Sequence, residues 1–383
     1  MDFTISAEQG ELRRRILEFA REHLHDRAAS PVPDTTFPRD HWRHCASLGI
    51  LGLPFPEVYG GGGRDALTTV MALEALGQGC ADNGLIFAIG AQMWSVQMPI
   101  LRFGSEEQKH RYLPALCCGD LVGAHAMSEA QSGSDAFSIS TSARRIGQGY
   151  RLNGTKVFVS QAPVADVFVV FARTGSDPGP MALSAFLVDR STPGLVVGPP
   201  TPKLGLRTSP MASLTFDDCV IPESSRLNLE GRGAQIFRDS IEWERSCILA
   251  GAVGAMDRLL NDATKYARER HQFGRAIAAF GAIAHRLIDM KIHLEQARLA
   301  LYRAAWEKEH GSDGTTLGAI AKLVVSEAYR RCAILAMEIR GGYGYTTDDV
   351  EREVRDALGS TIYSGTSDIQ RLVIGRSLGL KLT

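Results

Sequence analysis

The chain has 383 residues, with 42 basic side chains against 43 acidic ones and a formal charge of -1 at neutral pH. Hydrophobic residues make up 44% and charged residues 22%, a composition that fills a sizeable core, suits roughly two or three domains and excludes bulk disorder. The near-zero charge leaves no basic excess to release phosphate counterions, so a nucleic-acid footprint is excluded as well.

The opening Met1-Asp2-Phe3 is acidic and leads straight into a capped helix, which reads as the absence of a signal peptide. No apolar run approaches the roughly 18–20 residues of a membrane span. The seven cysteines (Cys45, Cys80, Cys117, Cys118, Cys219, Cys247 and Cys332) are odd in number and form no C-x-x-C. They read as reduced thiols of a cytoplasmic protein. Cysteines and histidines lack metal-ligand spacing, so no metal is expected.

Residues 1–120 read as an N-terminal helical domain. Ser6 and Gln9 form a capping-box pattern, and Leu12, Ile16, Phe19 and Ala20 follow at helical spacing. Pro31, Pro33 and Pro38 break the pattern. A second helix around Trp42 and Leu48 ends near Gly49 and Gly52, and Gly60–Gly63 form a loop. Helices resume through Thr68–Gly77 and Ile86–Phe103. Residues 121–232 read as a central β domain: short β-rich runs such as Val167–Phe171 and Ala185–Val188 lie among clustered prolines that no long helix survives. Residues 233–383 read as a helical bundle, with long helices through Ile236–Asn261, Asp262–Arg270, Phe280–Gly311 and Thr315–Arg340 and no proline after Pro222.

Four segments carry chemistry, and each also has a purely structural reading. Met127–Asp135 is a loop of small residues, either a surface turn or a place where backbone amides meet a ligand. In Asn153–Ser160 the Asn-Gly pair suggests a tight hairpin turn. The strand after it puts Phe158 and Ser160 on one face, as core or as the wall of a planar heterocycle. In Glu242-Trp243-Glu244-Arg245 the two glutamates lie about 200° apart on a helix. Glu244 shares a stripe with Ile241 and Ile248, so it is either a general base with a raised pKa or half of a buried Glu–Arg pair. Tyr363–Arg371 is a Ser-Gly-Thr-Ser turn before a helix opened by Asp368, which either caps that helix or binds an anion such as a pyrophosphate.

Together with Pro56-Glu57-x-Tyr59-Gly60-Gly61-x-Gly63, Arg270-x-Gln272-Phe273-Gly274 and Gly341-Gly342-Tyr343-Gly344-Tyr345, these segments resemble the acyl-CoA dehydrogenase family over essentially the whole chain. The resemblance implies a mainly α fold with a central β domain: a helical domain, a β-barrel-like domain and a C-terminal four-helix bundle. It also implies FAD as cofactor and a homotetramer. Met127, Ser128, Gly133 and Ser134 would lie along flavin and thioester, and Phe158 and Ser160 would border the isoalloxazine ring. Arg270 and Phe273 would reach FAD across a subunit interface, Gly342 would approach its pyrophosphate, and Thr366 and Asp368 would contact it too. Glu338 replaces the glutamine usual before the Gly-Gly pair.

Most of the family reads Tyr-Glu-Gly-Thr where this chain has Tyr363-Ser364-Gly365-Thr366, and that glutamate is the base. A minority branch carries its base on the first helix of the C-terminal domain, just before an arginine, and Glu244-Arg245 matches it. Trp243-Glu244-Arg245, Ala162–Phe168 and Tyr363–Asp368 look like the natural-product branch of antibiotic biosynthesis. Members of that branch, such as the prolyl-carrier-protein dehydrogenases, oxidise acyl or aminoacyl groups tethered to a carrier protein. The resemblance thus implies FAD-dependent α,β-dehydrogenation of a short acyl or aminoacyl thioester. Glu244 would be the base, Arg245 its support, and the Ser364 N–H a donor to the thioester carbonyl. Leu204–Ser209 is similar to ordinary members, which keeps a short- or branched-chain acyl-CoA dehydrogenase as the alternative. A flavin oxidase or oxygenase and a non-catalytic protein on the same scaffold are the rivals from other classes.

Overall fold

A computed structural model describes residues 4–24, 36–175, 179–311, 314–346 and 349–382. The opening residues 1–3, Pro31, Pro33 and Pro178 lie outside them. Among the described residues the chain starts with six α-helices: α1 (Ala7–His23), α2 (Arg39–Ser47), α3 (Ala66–Gly79), α4 (Asn83–Gln92), α5 (Met98–Phe103) and α6 (Glu106–Cys117). Both halves of the Ser6–Gln9 capping box form at the start of α1. A π-helical turn, Met93–Gln97, joins α4 to α5. The whole stretch Asn83–Phe103 is long and apolar enough to cross a membrane by composition, contrary to the reading of apolar runs, which Gln92, Ser95 and Gln97 interrupt. Its most apolar window is 83% buried inside the protein, so it is a core helix here. α6 lies outside the helical segments expected from periodicity; it has its own capping box at Ser105 and Gln108 and accommodates Pro114 inside the helix.

Among the described residues eight strands follow: β1 (Gly123–Ala126), β2 (Ser142–Ile146), β3 (Gly149–Ser160), β4 (Val167–Arg173), β5 (Leu183–Asp189), β6 (Leu195–Val197), β7 (Met211–Pro222) and β8 (Arg226–Leu227). They form one sheet in the order β6-β7-β3-β2-β4-β5-β8, with β1 parallel to β4. β2 meets β4 at the single pair Ser142↔Arg173, so two halves of the sheet join there. Asn153-Gly154 does not make the hairpin turn expected of it. It lies inside β3, where the register against β7 shifts between Leu152 and Gly154. Gly154 has φ +142°, and a Cβ there would sit 2.7 Å from Thr141 Oγ1. The glycine serves close approach at a bulge, and the real turn is the one between Ile146 and Gly149.

The last third is α7 (Gly233–Cys247), α8 (Ala250–Glu269), a two-residue hairpin β9 (His271–Gln272) and β10 (Arg275–Ala276), then α9 (Gly281–His310), α10 (Gly314–Arg340), α11 (Asp349–Gly359) and α12 (Ser367–Ser377). α10 is central and packs on α7, α8, α9, α11 and α12. The periodicity predicts one helix through Ile236–Asn261, whereas the structure breaks it after Cys247. After the break α8 packs on α3, where the two backbones touch. A Cβ on Gly77 would lie 2.1 Å from Gly251 O, and one on Gly254 would lie 2.0 Å from Glu74 O.

Polar ties lock the three parts together. Arg298 of α9 donates from Nε to Glu74 of α3 at 2.9 Å, and Tyr302 Oη donates to the same carboxylate at 2.7 Å. Asn83 donates to Glu353 and Asp356 at 3.0 and 3.1 Å, and the Leu206 N–H donates to Asp356 Oδ1 at 2.5 Å. Burial, with Glu353 alongside, pushes the Asp356 carboxyl up to about 6.

The helix crossing yields a test. Gly254→Ala should lower stability by about 1–3 kcal/mol through overpacking. Gly10→Ala, in exposed α1 with nothing near its Cβ, should gain about 0.5–1 kcal/mol. Unfolding curves of the two variants measure both, and an unchanged Gly254→Ala would refute the close crossing.

Candidate active site

The first wall of the site is the loop after β1. Met127 is buried, Ser128 half-buried, and Gly133 and Ser134 exposed. A Cβ on Gly133 would meet nothing within 4 Å, so the loop tip faces open space. What holds the loop is a buried ion pair that no local sequence pattern marks. Lys156 of β3 is 0% exposed and Glu129 is 3% exposed, and their charged atoms stand 2.8 Å apart. Lys156 Nζ also donates to Met127 O at 3.0 Å, while Glu129 accepts from the Ser140 and Thr141 N–H groups at 2.7 and 3.0 Å. Burial pushes the Glu129 carboxyl up, but the Lys156 ammonium and these hydrogen bonds outweigh it and hold it at about 2. The Val157 N–H donates to Ser128 O at 2.9 Å, which fastens the loop to the strand.

That strand turns its aromatic ring outward. Phe158 has φ +57° and is 66% exposed, while Val159 beside it is 1% exposed. Ser160 is half-buried on the side away from Val159. Seven described residues other than glycine have positive φ: Phe158, Gln161, Leu206, Asp218, Asn228, Phe273 and Ser364. Phe158, Phe273 and Ser364 are three of the residues singled out above. A left-handed bulky residue is strained and persists where its surroundings over-determine it, which is the pattern of functional sites.

The second wall is α7 with the turn before α12. Ser364 Oγ donates to Glu244 Oε1 at 2.6 Å. Arg245 Nε donates to Ser364 O at 3.3 Å, and Gln370 Nε2 donates to Ser364 O and Gly365 O at 3.1 and 2.8 Å. Among the described residues nothing accepts the Ser364 N–H. The π-helical turn brings Ser95 to the same carboxylate, in keeping with the frequent place of such turns at functional sites. Burial raises the pKa of Glu244, against the opposing pull of Ser364, Ser95, Arg245 and Lys322. Glu242 points elsewhere: it accepts from Lys308 Nζ at 2.8 Å and from Thr315 Oγ1 at 3.1 Å. Trp243, between them, stacks on Trp94 with ring centroids 5.8 Å apart.

Arg270, Phe273 and Gly342 lie elsewhere in the C-terminal part, while Thr366 and Asp368 directly follow the Ser364 turn. The Arg270 guanidinium lies 5.8 Å from the centre of the Tyr343 ring, next to Gly342. Phe273 packs edge-on against Phe280 at 6.0 Å yet is 93% exposed. Open space surrounds Gly341 and Gly342. Thr366 caps α12 by accepting from the Ile369 N–H at 3.3 Å, so that helix opens at Ser367, one residue earlier than Asp368. The Asp368 carboxylate is solvent-facing and pairs with Arg371. Glu338 pairs with Arg286 at 3.3 Å. Exposed aromatic rings on left-handed backbone at Phe158 and Phe273, an exposed Arg270 and open glycines are chemically suited to a large, planar, anionic cofactor such as FAD.

Lys156→Met should unfold this wall, because it leaves Glu129 buried without its counter-charge, a loss of about 3–5 kcal/mol. The depressed Glu129 pKa gives the pair a sign. Its contribution is complete above the ordinary carboxylate value of 4.5 and is lost as pH falls through about 2. Acid unfolding of wild type should therefore contain a step in that window that Lys156→Met lacks.

Family profiles match in three consecutive blocks: acyl-CoA dehydrogenase N-terminal domain over residues 6–120, middle domain over 124–219 and C-terminal domain over 231–379. An L-prolyl-[peptidyl-carrier protein] dehydrogenase from Serratia sp. (strain ATCC 39006) is 39% identical over 384 residues, covering 100% of both chains. The crystal structure of the prolyl acyl carrier protein oxidase AnaB aligns with a TM-score of 0.95 and 44% identity, covering 98% of this chain and 100% of AnaB. A structure of PigA with FAD and proline aligns with a TM-score of 0.96 and 38% identity over 100% of both chains. Helical, β and helical parts thus follow one another as in these relatives, and the chain belongs to the acyl-CoA dehydrogenase family.

Proposed function

We propose that this protein is an FAD-dependent dehydrogenase that introduces an α,β double bond into an aminoacyl thioester, prolyl foremost, tethered to a carrier protein in natural-product biosynthesis. The observation that carries the reading is the Ser364–Glu244 hydrogen bond at 2.6 Å. It joins the turn that bears the base in most of the family to the helix carboxylate that takes its place here. The likeness to the Serratia enzyme and to PigA with FAD and proline supports the cofactor and the substrate class.

FAD, when bound, supplies the two-electron acceptor. Phe158, Ser160, Met127, Ser128, Gly133 and Ser134 would hold it from one side. Arg270, Phe273, Gly342, Thr366 and Asp368 would hold it from the other, Arg270 and Phe273 reaching the site of a second subunit. Glu244 takes the α proton of the thioester; its raised pKa makes it a stronger base than an exposed glutamate. The Ser364 N–H, which no described residue accepts, would donate to the developing enolate oxygen of the thioester. Arg245 fixes the turn through Ser364 O. A homotetramer suits the exposed Phe273 and the exposed apolar row Ile288, Ile292 and Leu299 along α9. A cytoplasmic home suits seven cysteines, none of them in a disulfide. The Leu204–Ser209 likeness to ordinary members reflects fold rather than substrate, since Lys203 Nζ ties Leu206 O and Ser209 O while Leu206 N ties Asp356.

Purified protein should hold FAD, and prolyl-carrier thioester should bleach the flavin anaerobically. Glu244→Gln should retain FAD and lose bleaching by about 10²–10⁴-fold, the worth of a general base, whereas Glu242→Gln should lose far less. Since Glu244 acts deprotonated, the bleaching rate should fall with decreasing pH through a limb above the usual glutamate value of 4.5. Wild-type bleaching by Glu244→Gln would refute the assignment. In a separate comparison the carrier-bound substrate should outpace its free CoA ester; equal or faster turnover of the CoA ester would overturn the carrier preference alone.

A further inference from the structure

Lys322 lies in the middle of α10 and is 0% exposed. Its Nζ meets no hydrogen-bond partner among the described residues. A buried ammonium in that state is strongly disfavoured unless something nearby offsets it. Packing does not demand the charge, because the buried α10 positions around it are Gly318, Ala319, Ala321, Val325 and Ser326, and a methionine would fill the same length. What the ammonium does meet is the ring of Tyr363, with Nζ 5.8 Å from its centre, within reach of a cation–π contact.

The next residue along the turn is Ser364, whose Oγ is on Glu244. Tyr363-Ser364 therefore spans from the Lys322 ammonium to the Glu244 carboxylate. The same turn is pinned to α10 elsewhere: Ser367 Oγ donates to Glu327 Oε1 at 2.9 Å, and Ser360 Oγ lies 3.4 Å from Ser326 O. The charged groups acting on Lys322 are Glu244 and Arg245 from α7 and Glu327 from its own helix. Arg245 repels it and is engaged with Ser364 O. Glu327 attracts it but already serves Arg330 and Ser367. Glu244 has no salt-bridge partner within 4 Å among the described residues. Those acting on Glu244 are Arg245, Lys322, and the Ser364 and Ser95 hydroxyls, with the Tyr363 phenol raised by the same carboxylate after burial.

We infer that Lys322 is a positioning residue for the base: its ammonium clamps the Tyr363-Ser364 turn and favours the ionised form of Glu244. The inference rests on Glu244 being the base. Burial pushes Lys322 down to about 8 and Glu244 up, so each charge offsets the desolvation of the other.

The test is the pH profile of anaerobic flavin reduction by prolyl-carrier thioester in FAD-loaded Lys322→Met. The acid limb should move upward by about one pKa unit, which lowers the rate about tenfold below the limb and leaves the plateau far less affected. An FAD-loaded variant with an unmoved limb would overturn the inference. A double-mutant cycle on thermal unfolding gives a readout without turnover. Lys322→Met should lower the midpoint of wild type more than that of Glu244→Gln; equal losses would assign Lys322 to packing alone. If Lys322→Met folds only together with Glu244→Gln, the coupling stands, and if it folds in neither background, the inference falls. Glu244→Gln with wild-type flavin reduction would instead sink the base assignment itself, so the two failures are distinguishable.

Discussion

A carboxylate drawn out of water has to be compensated, and the site is built around that requirement at Glu244. Burial favours the protonated acid, which is useless for taking a proton. Ser364, Ser95, Arg245 and Lys322 each pull the other way. They arrive from four places: the turn before α12, the π-helical turn, α7 itself and the centre of α10. The neighbouring folds of the chain follow from bringing those four together. The break after Cys247 separates α7, which carries Glu244, from α8, which closes on α3 through glycines.

The same physics recurs on the β side. Lys156 and Glu129 form a deeply buried ion pair, and their ladder of backbone acceptors and donors fixes the loop at Met127 and Ser128. One buried pair thus sets a backbone surface, and a second, looser set of buried charges tunes a side chain. Two residues after Lys156, Phe158 is itself left-handed and stands exposed in its strand. Strain at Phe158 and at Ser364 is affordable because each neighbours one of these charge clusters, which over-determine the local chain path.

Much of this was legible in the residues. Proline placement separated the β part from the helices, and helical periodicity separated Glu242 from Glu244: Glu242 faces Lys308 and Thr315, and Glu244 faces Ser364. The Asn153-Gly154 pair misled because a glycine needed for close approach to Thr141 looks like a glycine needed for a turn. Lys156 and Lys322 were invisible because the meaning of a buried lysine comes from partners distant in sequence: Glu129 for the first, Tyr363 and Glu244 for the second. Arg270 and Phe273 were picked out by resemblance alone, since a single chain leaves Phe273 in solvent.

The central claim is that residue 244 is the group that meets the substrate α carbon. A structure of FAD-loaded Glu244→Gln holding an uncleaved prolyl-carrier thioester, or its pantetheine ester, tests it most directly. The account predicts the residue 244 side chain within about 3–3.5 Å of the α carbon, the separation of a near-attack geometry, with the Ser364 N–H on the thioester oxygen. An α carbon facing another carboxylate, or lying beyond reach of residue 244, would contradict it.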